Sequence, residues 1–344
     1  VNNRVLRVAR VILVTLLVGG VGVAAASLLC SQGICMHSPV VAQSAPAAGS
    51  DLITGLAILG DSTQDEYHAD SARGGDFAAT TYNWVELLAT ARGLPLGTWG
   101  TYNEPRRSGF AYNWARSGAT SADMVSQGQL TGALQQIRSN EVSHAIIQIG
   151  INDFYFSGIG QQIYDGAFAG EAGAAELKAL LDETTRNIFV TALLLQKFDT
   201  DRVILAAVQD YVTLPVIPEL DVSYADATGQ ARLIDAFFYV NHQLATLSLA
   251  WGIPFFDYNA AMLDEINSRL DSEGYLVVGD ERINLGQRGN DPRFGMLDDE
   301  YAHPGTVLSG LSANLFIEEM NRVFGTTIAP LSDAEILQAA GILP

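Results

Sequence analysis

The sequence predicts an α/β fold built on a mainly parallel sheet with helices on both faces, and three observations predict it. Short apolar runs at residues 52–59, 144–149, 202–208 and 253–256 have the length of buried strands. Amphipathic helical stretches at 83–91, 174–198, 227–250 and 259–270 alternate with them, the pattern of strands joined by crossover helices. Two of the runs end on a glycine followed by polar residues, Gly60 and Gly150. They place chemistry at the carboxyl edge of the sheet, where open α/β sheets bind ligands.

The chain has 344 residues, 48% hydrophobic and 17% charged, which is enough to bury a sizeable core. Its formal charge is −19. Such acidity repels nucleic-acid phosphates and anionic membrane surfaces, so no nucleic-acid partner is expected. The first acid is Asp51; before it the only charges are Arg4, Arg7 and Arg10, followed by an apolar run at 11–29 and small or polar residues at 42–49. Residues 1–37 therefore read as a signal peptide or, because the run approaches membrane-spanning length, an N-terminal membrane anchor. Membrane contact is expected only through that segment if it is uncleaved, with the protein exported to the periplasm or the extracellular space. Residues 38–50, rich in Ala, Ser, Pro and Val, read as a linker, and 51–344 as one folded domain. The only cysteines are Cys30 and Cys35. They could close a small disulfide loop, and Leu29 before Cys30 is too large for a lipoprotein cleavage site. The domain itself lacks cysteine, which removes thiol nucleophiles and cysteine-bound metals.

Taken in order, the first strand ends in Gly60-Asp61-Ser62, and the glycine permits a sharp turn that presents Ser62 as a nucleophile. The same three residues also suit an ordinary turn. A helix from Asn83 should end at Arg92-Gly93, and a loop at 95–107 carries Trp99 and Tyr102 near the site. Next comes Asn113 to Thr120, ending in Ser117-Gly118-Ala119-Thr120, with Ser121 suited to cap the following helix. Gly118 can bring its backbone N–H close to a reacting group because no Cβ stands in the way. The strand at 144–149 leads into Gly150-Ile151-Asn152-Asp153, where the Asn152 amide is placed to donate to an oxyanion.

Residues 154–170 read as a glycine-rich loop with Phe154, Tyr155, Phe156, Tyr164 and Phe168, some in the core and others free to line an acyl or sugar pocket. Asp210 and Asp257 lie at strand ends, but with no histidine cluster beside them no metal or other cofactor is expected. Residues 275–297 hold a strand and a polar loop, and then Asp298-Asp299-Glu300-Tyr301-Ala302-His303-Pro304 precedes the last long helix, with Pro304 suited to its first turn. His303 is thus the base candidate. His37, His144 and His242 sit in linker, strand and helix, and His68 is a minor pocket candidate. Ser332-Asp333-Ala334-Glu335 is a capping box that opens a short helix.

With these stretches in place, the chain resembles the exported bacterial GDSL, or SGNH, hydrolases. Gly60-Asp61-Ser62 with Asp65, Asn113 to Thr120, Gly150-Ile151-Asn152-Asp153 and His303-Pro304 stand in the family's order over about residues 51–323. The resemblance implies a three-layer α/β/α sandwich of flavodoxin-like topology. It also implies a serine esterase with Ser62 as nucleophile and His303 as base, and an oxyanion hole from Ser62, Gly118 and Asn152. One departure stands out: the family has aspartate three residues before the histidine, where this chain has Glu300, with Asp299 as the alternative. Asp61, Asp65 and Asp153 read as scaffolding. The implied substrate is a small-molecule or carbohydrate ester, as in a deacetylase. The alternatives are a lipase or lysophospholipase, or a binding protein that has lost the reaction.

Overall fold

The computed structural model describes residues 53–69, 73–155, 159–197, 202–214, 226–299 and 303–344, all within the unit Ala45–Pro344. The expectations for residues 1–50, including Cys30 and Cys35, and for Glu300 lie outside the described residues.

Strand β1 (Leu56–Gly60) is followed by helix α1 (Trp84–Arg92) and an antiparallel pair, β2 (Trp99–Thr101) with β3 (Ser108–Phe110). Helices α2 (Ser121–Ser126) and α3 (Gln129–Arg138) lead to β4 (His144–Gln148). The short α4 (Ile151–Phe154) and α5 (Gly160–Tyr164) and the long α6 (Gly170–Lys197) lead to β5 (Val203–Ala206). Then come α7 (Ala227–Trp251), β6 (Phe255–Phe256) and α8 (Tyr258–Arg269). A small sheet of β7 (Leu276–Val278), β8 (Glu281–Arg288) and β9 (Phe294–Met296) precedes α9 (Thr306–Phe324) and α10 (Asp333–Ala339).

The main sheet has the order β1-β4-β5-β6, with every pair parallel. Along the free edge of β1, Ile58 N–H donates to Tyr112 O (3.1 Å) and Trp114 N–H to Ile58 O (2.8 Å), so residues 112–114 add a further parallel strip. The chain therefore leaves β1 toward one side and returns to place β4 on the other. That reversal is a topological switch point, and it opens a crevice at the carboxyl ends of β1 and β4.

Alternate side chains of each strand enter two cores. Leu56, Ile58, Ile146, Ile204, Ala206 and Phe256 face α1, α8, α9 and α10, whereas Ala57, Leu59, Ala145, Ile147, Val203 and Leu205 face α3, α6 and α7. Burial on both faces is why these runs are apolar throughout rather than alternating. Local signals set the helix ends. Asn83 accepts Glu86 N–H and Glu86 takes Asn83 N–H, while Gly93 closes α1 at φ 64°, a left-handed turn that glycine adopts without penalty.

Several expectations are corrected. The first strand begins at Leu56, the third spans only Val203–Ala206 and the fourth only Phe255–Phe256. Thr120, not Ser121, caps α2: its extended backbone lets its side chain accept Asp123 N–H, and Ser121 becomes the first helical residue. Pro304 lies before the α9 cap, Gly305, because it is held against Met296 in an antiparallel bridge. Residues 276–296 form three strands, and the loop at 99–110 contains a hairpin.

On the α9 side, Phe316 is fully buried and stacks on Trp84 (centroids 4.0 Å apart), with Phe256 and Tyr258 at 5.4 and 5.6 Å. Truncation leaves a cavity that three rings and the sheet cannot close. Phe316→Ala is expected to lower unfolding free energy by about 3–5 kcal/mol, measured by urea denaturation.

Candidate active site

At the end of β1 the backbone of Gly60 is gripped by one amide: Gly60 N–H donates to Gln129 Oε1 and Gln129 Nε2 to Gly60 O, both at 3.0 Å. A Cβ at Gly60 would lie 2.4 Å from Gln64 Oε1 and 2.8 Å from Gln148 O, so no larger residue fits between the two strand ends. The turn that follows is closed by Asp65 N–H to Asp61 O (2.9 Å) and by Asp61 N–H to Gln64 Oε1 (3.0 Å). Gln64 in turn donates to Gln148 Oε1 (2.7 Å), which ties the turn to β4. Asp61 lies behind Ser62 and accepts the Thr63 N–H and hydroxyl, each at 3.1 Å. Burial lifts its carboxyl to about 7 despite those bonds. Ser62 itself is half-buried at the tip of the turn.

The second block is fastened to the first. Asn113 Nδ2 donates to Gln64 O (2.8 Å), and the Ser117 N–H and hydroxyl both donate to Asp65 Oδ2 at 2.7 Å. The chain then passes through exposed Gly118 at φ 79°, a conformation that favours glycine. The third block is fastened to the second. Asn152 Nδ2 donates to Ala119 O (3.0 Å), while Asp153 accepts the Ser121 N–H and hydroxyl (2.8 and 2.7 Å) and the Thr184 hydroxyl (3.1 Å). Gly118 and Asn152 therefore share one corner of the crevice. Among the described residues, the backbone N–H groups of Ser62 and Gly118 have no hydrogen-bond acceptor.

The fourth block approaches from α9. Leu297 N–H donates to His303 O (2.8 Å) and Gly305 N–H to Gly295 O (2.7 Å), which holds His303 against β9 with only 3% exposure. The Tyr67 hydroxyl donates to Pro304 O (3.2 Å), and the Tyr67 ring meets the imidazole edge-on at 6.2 Å. Asp299 takes His303 from two sides: Oδ1 accepts its backbone N–H (3.1 Å) and Oδ2 faces Nδ1 at 2.6 Å. Glu300 lies outside the described residues. Asp299 stands four residues before His303, and residue spacing alone does not encode its contact with the ring.

Sequence reasoning missed Arg73. Its Nη1 donates to Asp299 Oδ2 (2.6 Å) and also touches His303 Nδ1, Nη2 reaches the Ser117 hydroxyl (3.4 Å), and the guanidinium lies 5.1 Å above the Tyr67 ring. A single arginine in a polar loop carries no motif by which to find it. Burial holds the His303 imidazole below its ordinary range; the Asp299 hydrogen bond opposes this and the Arg73 charge adds to it. For Asp299, burial alone would raise the carboxyl, but the bond to His303 and the charges of His303 and Arg73 bring it to about 2.

Other candidates are engaged elsewhere. His68 Nδ1 is 2.8 Å from Glu86 Oε1 and its ring packs on Tyr82. Asp210 accepts the Val212 and Thr213 N–H groups, and Asp257 caps α8. Phe154 and Tyr164 are buried against α7 instead of lining a pocket. Among the described residues, no three His, Cys, Asp or Glu side chains form a group that could hold a metal.

Residues 56–188 match the family model for the GDSL-like lipase/acylhydrolases. No curated protein sequence matches the chain. Among solved structures it is similar to a gut microbial diltiazem-metabolizing enzyme, at 15% identity and a TM-score of 0.44, over 81% of this chain and 48% of that one. The chain thus spans about half the length of that protein. It is also similar to an acetylxylan esterase from Geobacillus stearothermophilus (16% identity, TM-score 0.40, 77% of this chain and 93% of that one). A third similar structure is phospholipase A1 from Streptomyces albidoflavus NA297 (14%, 0.40, 78% and 99%). The family match runs from the strand before Ser62 through Gly118 and Asn152, and over that stretch the chain is similar to the GDSL-like lipase/acylhydrolases.

Proposed function

We propose that the protein is a serine esterase that hydrolyses carboxylic esters through an acyl-enzyme, with short acyl groups such as acetyl on a carbohydrate or other small alcohol as its substrate class. The observation that carries this reading is the 2.6 Å contact between Asp299 Oδ2 and His303 Nδ1, on a loop tied through Arg73 and Ser117 to the Asp65 turn that presents Ser62. With its carboxyl near 2, Asp299 stays ionised and holds the proton on Nδ1, leaving Nε2 as the base.

Ser62 Oγ attacks the ester carbonyl as its proton passes to His303 Nε2, and the negative charge moves onto the carbonyl oxygen. The Ser62 and Gly118 N–H groups and the Asn152 amide receive that charge. Each such donor typically contributes about 2.7–4 kcal/mol to the transition state. Collapse breaks the C–O bond to the alcohol, which leaves with the proton from His303. Water then attacks the acyl-enzyme with His303 again as base, and the carboxylic acid and free Ser62 are regenerated.

The substrate class rests on lesser support. Trp99 is 43% exposed on the hairpin that leads into the second block, a surface suited to a sugar face. Packing of Phe154 and Tyr164 into the core withdraws those two rings from an acyl groove. The arginine-led apolar segment at residues 1–37 supports a site of action outside the cytoplasm.

On p-nitrophenyl acetate, butyrate and octanoate, turnover is expected to fall as the acyl chain lengthens and to vanish in Ser62→Ala. Serine-independent turnover would remove the mechanism, and a preference for octanoate would favour a lipase. A second comparison separates the two acids. Asp299→Asn is expected to lower kcat by about 10²–10⁴-fold, whereas Glu300→Gln should change it little; equal losses would contradict the role given to Asp299. Because burial lowers the His303 range and the base must be uncharged, kcat/KM should be lost only as pH falls below the ordinary histidine value of 6.5. A pH–rate profile on the acetate ester measures this.

A further inference from the structure

Arg73 belongs to none of the four motif blocks, yet it touches residues of two of them and, through Ser117, a third. Three donors converge on the Asp299 carboxylate: the His303 backbone N–H on Oδ1, and the imidazole Nδ1–H and Arg73 Nη1 on Oδ2. A carboxylate so engaged cannot rotate without breaking a charged bond. The Arg73 side chain is only 13% exposed, so solvent screens its charge weakly.

Among the described residues, the charged and titratable groups that act on His303 include Asp299, four residues before it, and Asp65, Tyr67 and Arg73 from the segment after β1, while Arg288 of β8 reaches the Asp299 carbonyl at 3.4 Å. Asp299 and Asp65 both favour a protonated imidazole, and an imidazolium cannot accept the serine proton. Arg73 is the cation placed to oppose them at contact distance.

We propose that Arg73 is a positioning residue of this site: it shares Asp299 Oδ2 with His303, fixes the carboxylate against Ser117, and by its charge keeps the imidazole in the uncharged form that accepts the Ser62 proton. The inference rests on the esterase reading, and its two consequences are separable. Loss of the hydrogen bonds loosens the carboxylate at every pH, whereas loss of the charge matters only where the imidazole titrates.

The test uses the full-length protein with Arg73→Met, which keeps the aliphatic stem over Tyr67 without charge, and Arg73→Lys, which keeps the charge without the fork. Two readouts are taken: kcat/KM on p-nitrophenyl acetate against pH, and titration of the His303 ring by NMR, assigned with His303→Asn. In Arg73→Met the acid limb should move to higher pH, so that the ratio of kcat/KM at about pH 5.5 to that at about pH 8 falls by about threefold or more. The His303 ring should titrate at higher pH, and KM should change little. Arg73→Lys should restore the limb. A uniform loss at all pH values with the His303 titration unmoved, or a titration moved downward, would overturn the proposal and leave Arg73 a structural brace. If Arg73→Met does not fold, Arg73→Gln removes the charge and is read the same way. Absence of Ser62-dependent turnover in the unmodified protein would instead sink the esterase reading, while the ring titration would still decide the role of the Arg73 charge.

Discussion

The pairing of β1 with β4 is the constraint on which the rest depends. Gly60 lies opposite Gln148 in this parallel pair, so Ser62 and Asn152 emerge two and four residues beyond one shared level of the sheet. Both strands are buried on both faces and divide their side chains between two cores, Leu56 and Ile58 to one and Ala57 and Leu59 to the other. A slip of one residue would exchange these sets, driving leucine and isoleucine into space shaped for alanine. The fit of the two cores therefore sets the level of the loops that carry Ser62 and Asn152, and the Gln64–Gln148 bond carries that level into the turn beyond.

Above that level, acids hold the loops. Asp65 binds the second block, Asp153 binds the N-terminus of α2, and Glu86 takes the N–H groups of Tyr67, His68 and Asn83. The backbone N–H groups of a sharply turning chain need acceptors, and a buried carboxylate offers several lone pairs at one point. The same environment drives the acids apart. Burial lifts Asp61 to about 7 and Glu66 to about 8, so that both carry less charge at neutral pH than their number suggests, while Asp299, bonded to His303 and beside the Arg73 guanidinium, is held near 2. Carboxylates of unlike protonation within one site allow one to stay ionised as partner to the base while another acts as a neutral brace.

Much of this was legible in the sequence where the deciding contacts are local. The strand that ends at Gly60, the helix that opens after Asn83 and the capping box at Ser332 and Glu335 depend on neighbours within a few residues. The location of Gly118 and Asn152 beyond β-to-α junctions also follows from pattern. What escaped was set at a distance. Ser121 has the chemistry of a cap, but Asp153, 32 residues away, claims its hydroxyl, and Thr120 takes the cap. Of the strands at 276–296, β7 and β9 have only three residues each and β8 is mostly polar, so each is defined by its neighbour rather than by its own composition. Asp299 stands four residues before His303, and no local signal marks that its carboxylate meets both the ring and the His303 N–H.

Arg73 shows the same limit and explains why it matters to the chemistry. Two of the acids that serve as fasteners, Asp299 and Asp65, face His303, and both stabilise an imidazolium. An esterase needs that stabilisation in the transition state, when the proton has moved, but not in the resting enzyme, where it would consume the base. Burial of His303 supplies part of the opposition without choosing between these moments. A guanidinium on the same carboxylate oxygen adds to that opposition while leaving the Asp299 hydrogen bond in place to orient the ring. The acidic scaffold that fastens the loops and the cation that moderates its field are therefore two parts of one electrostatic solution.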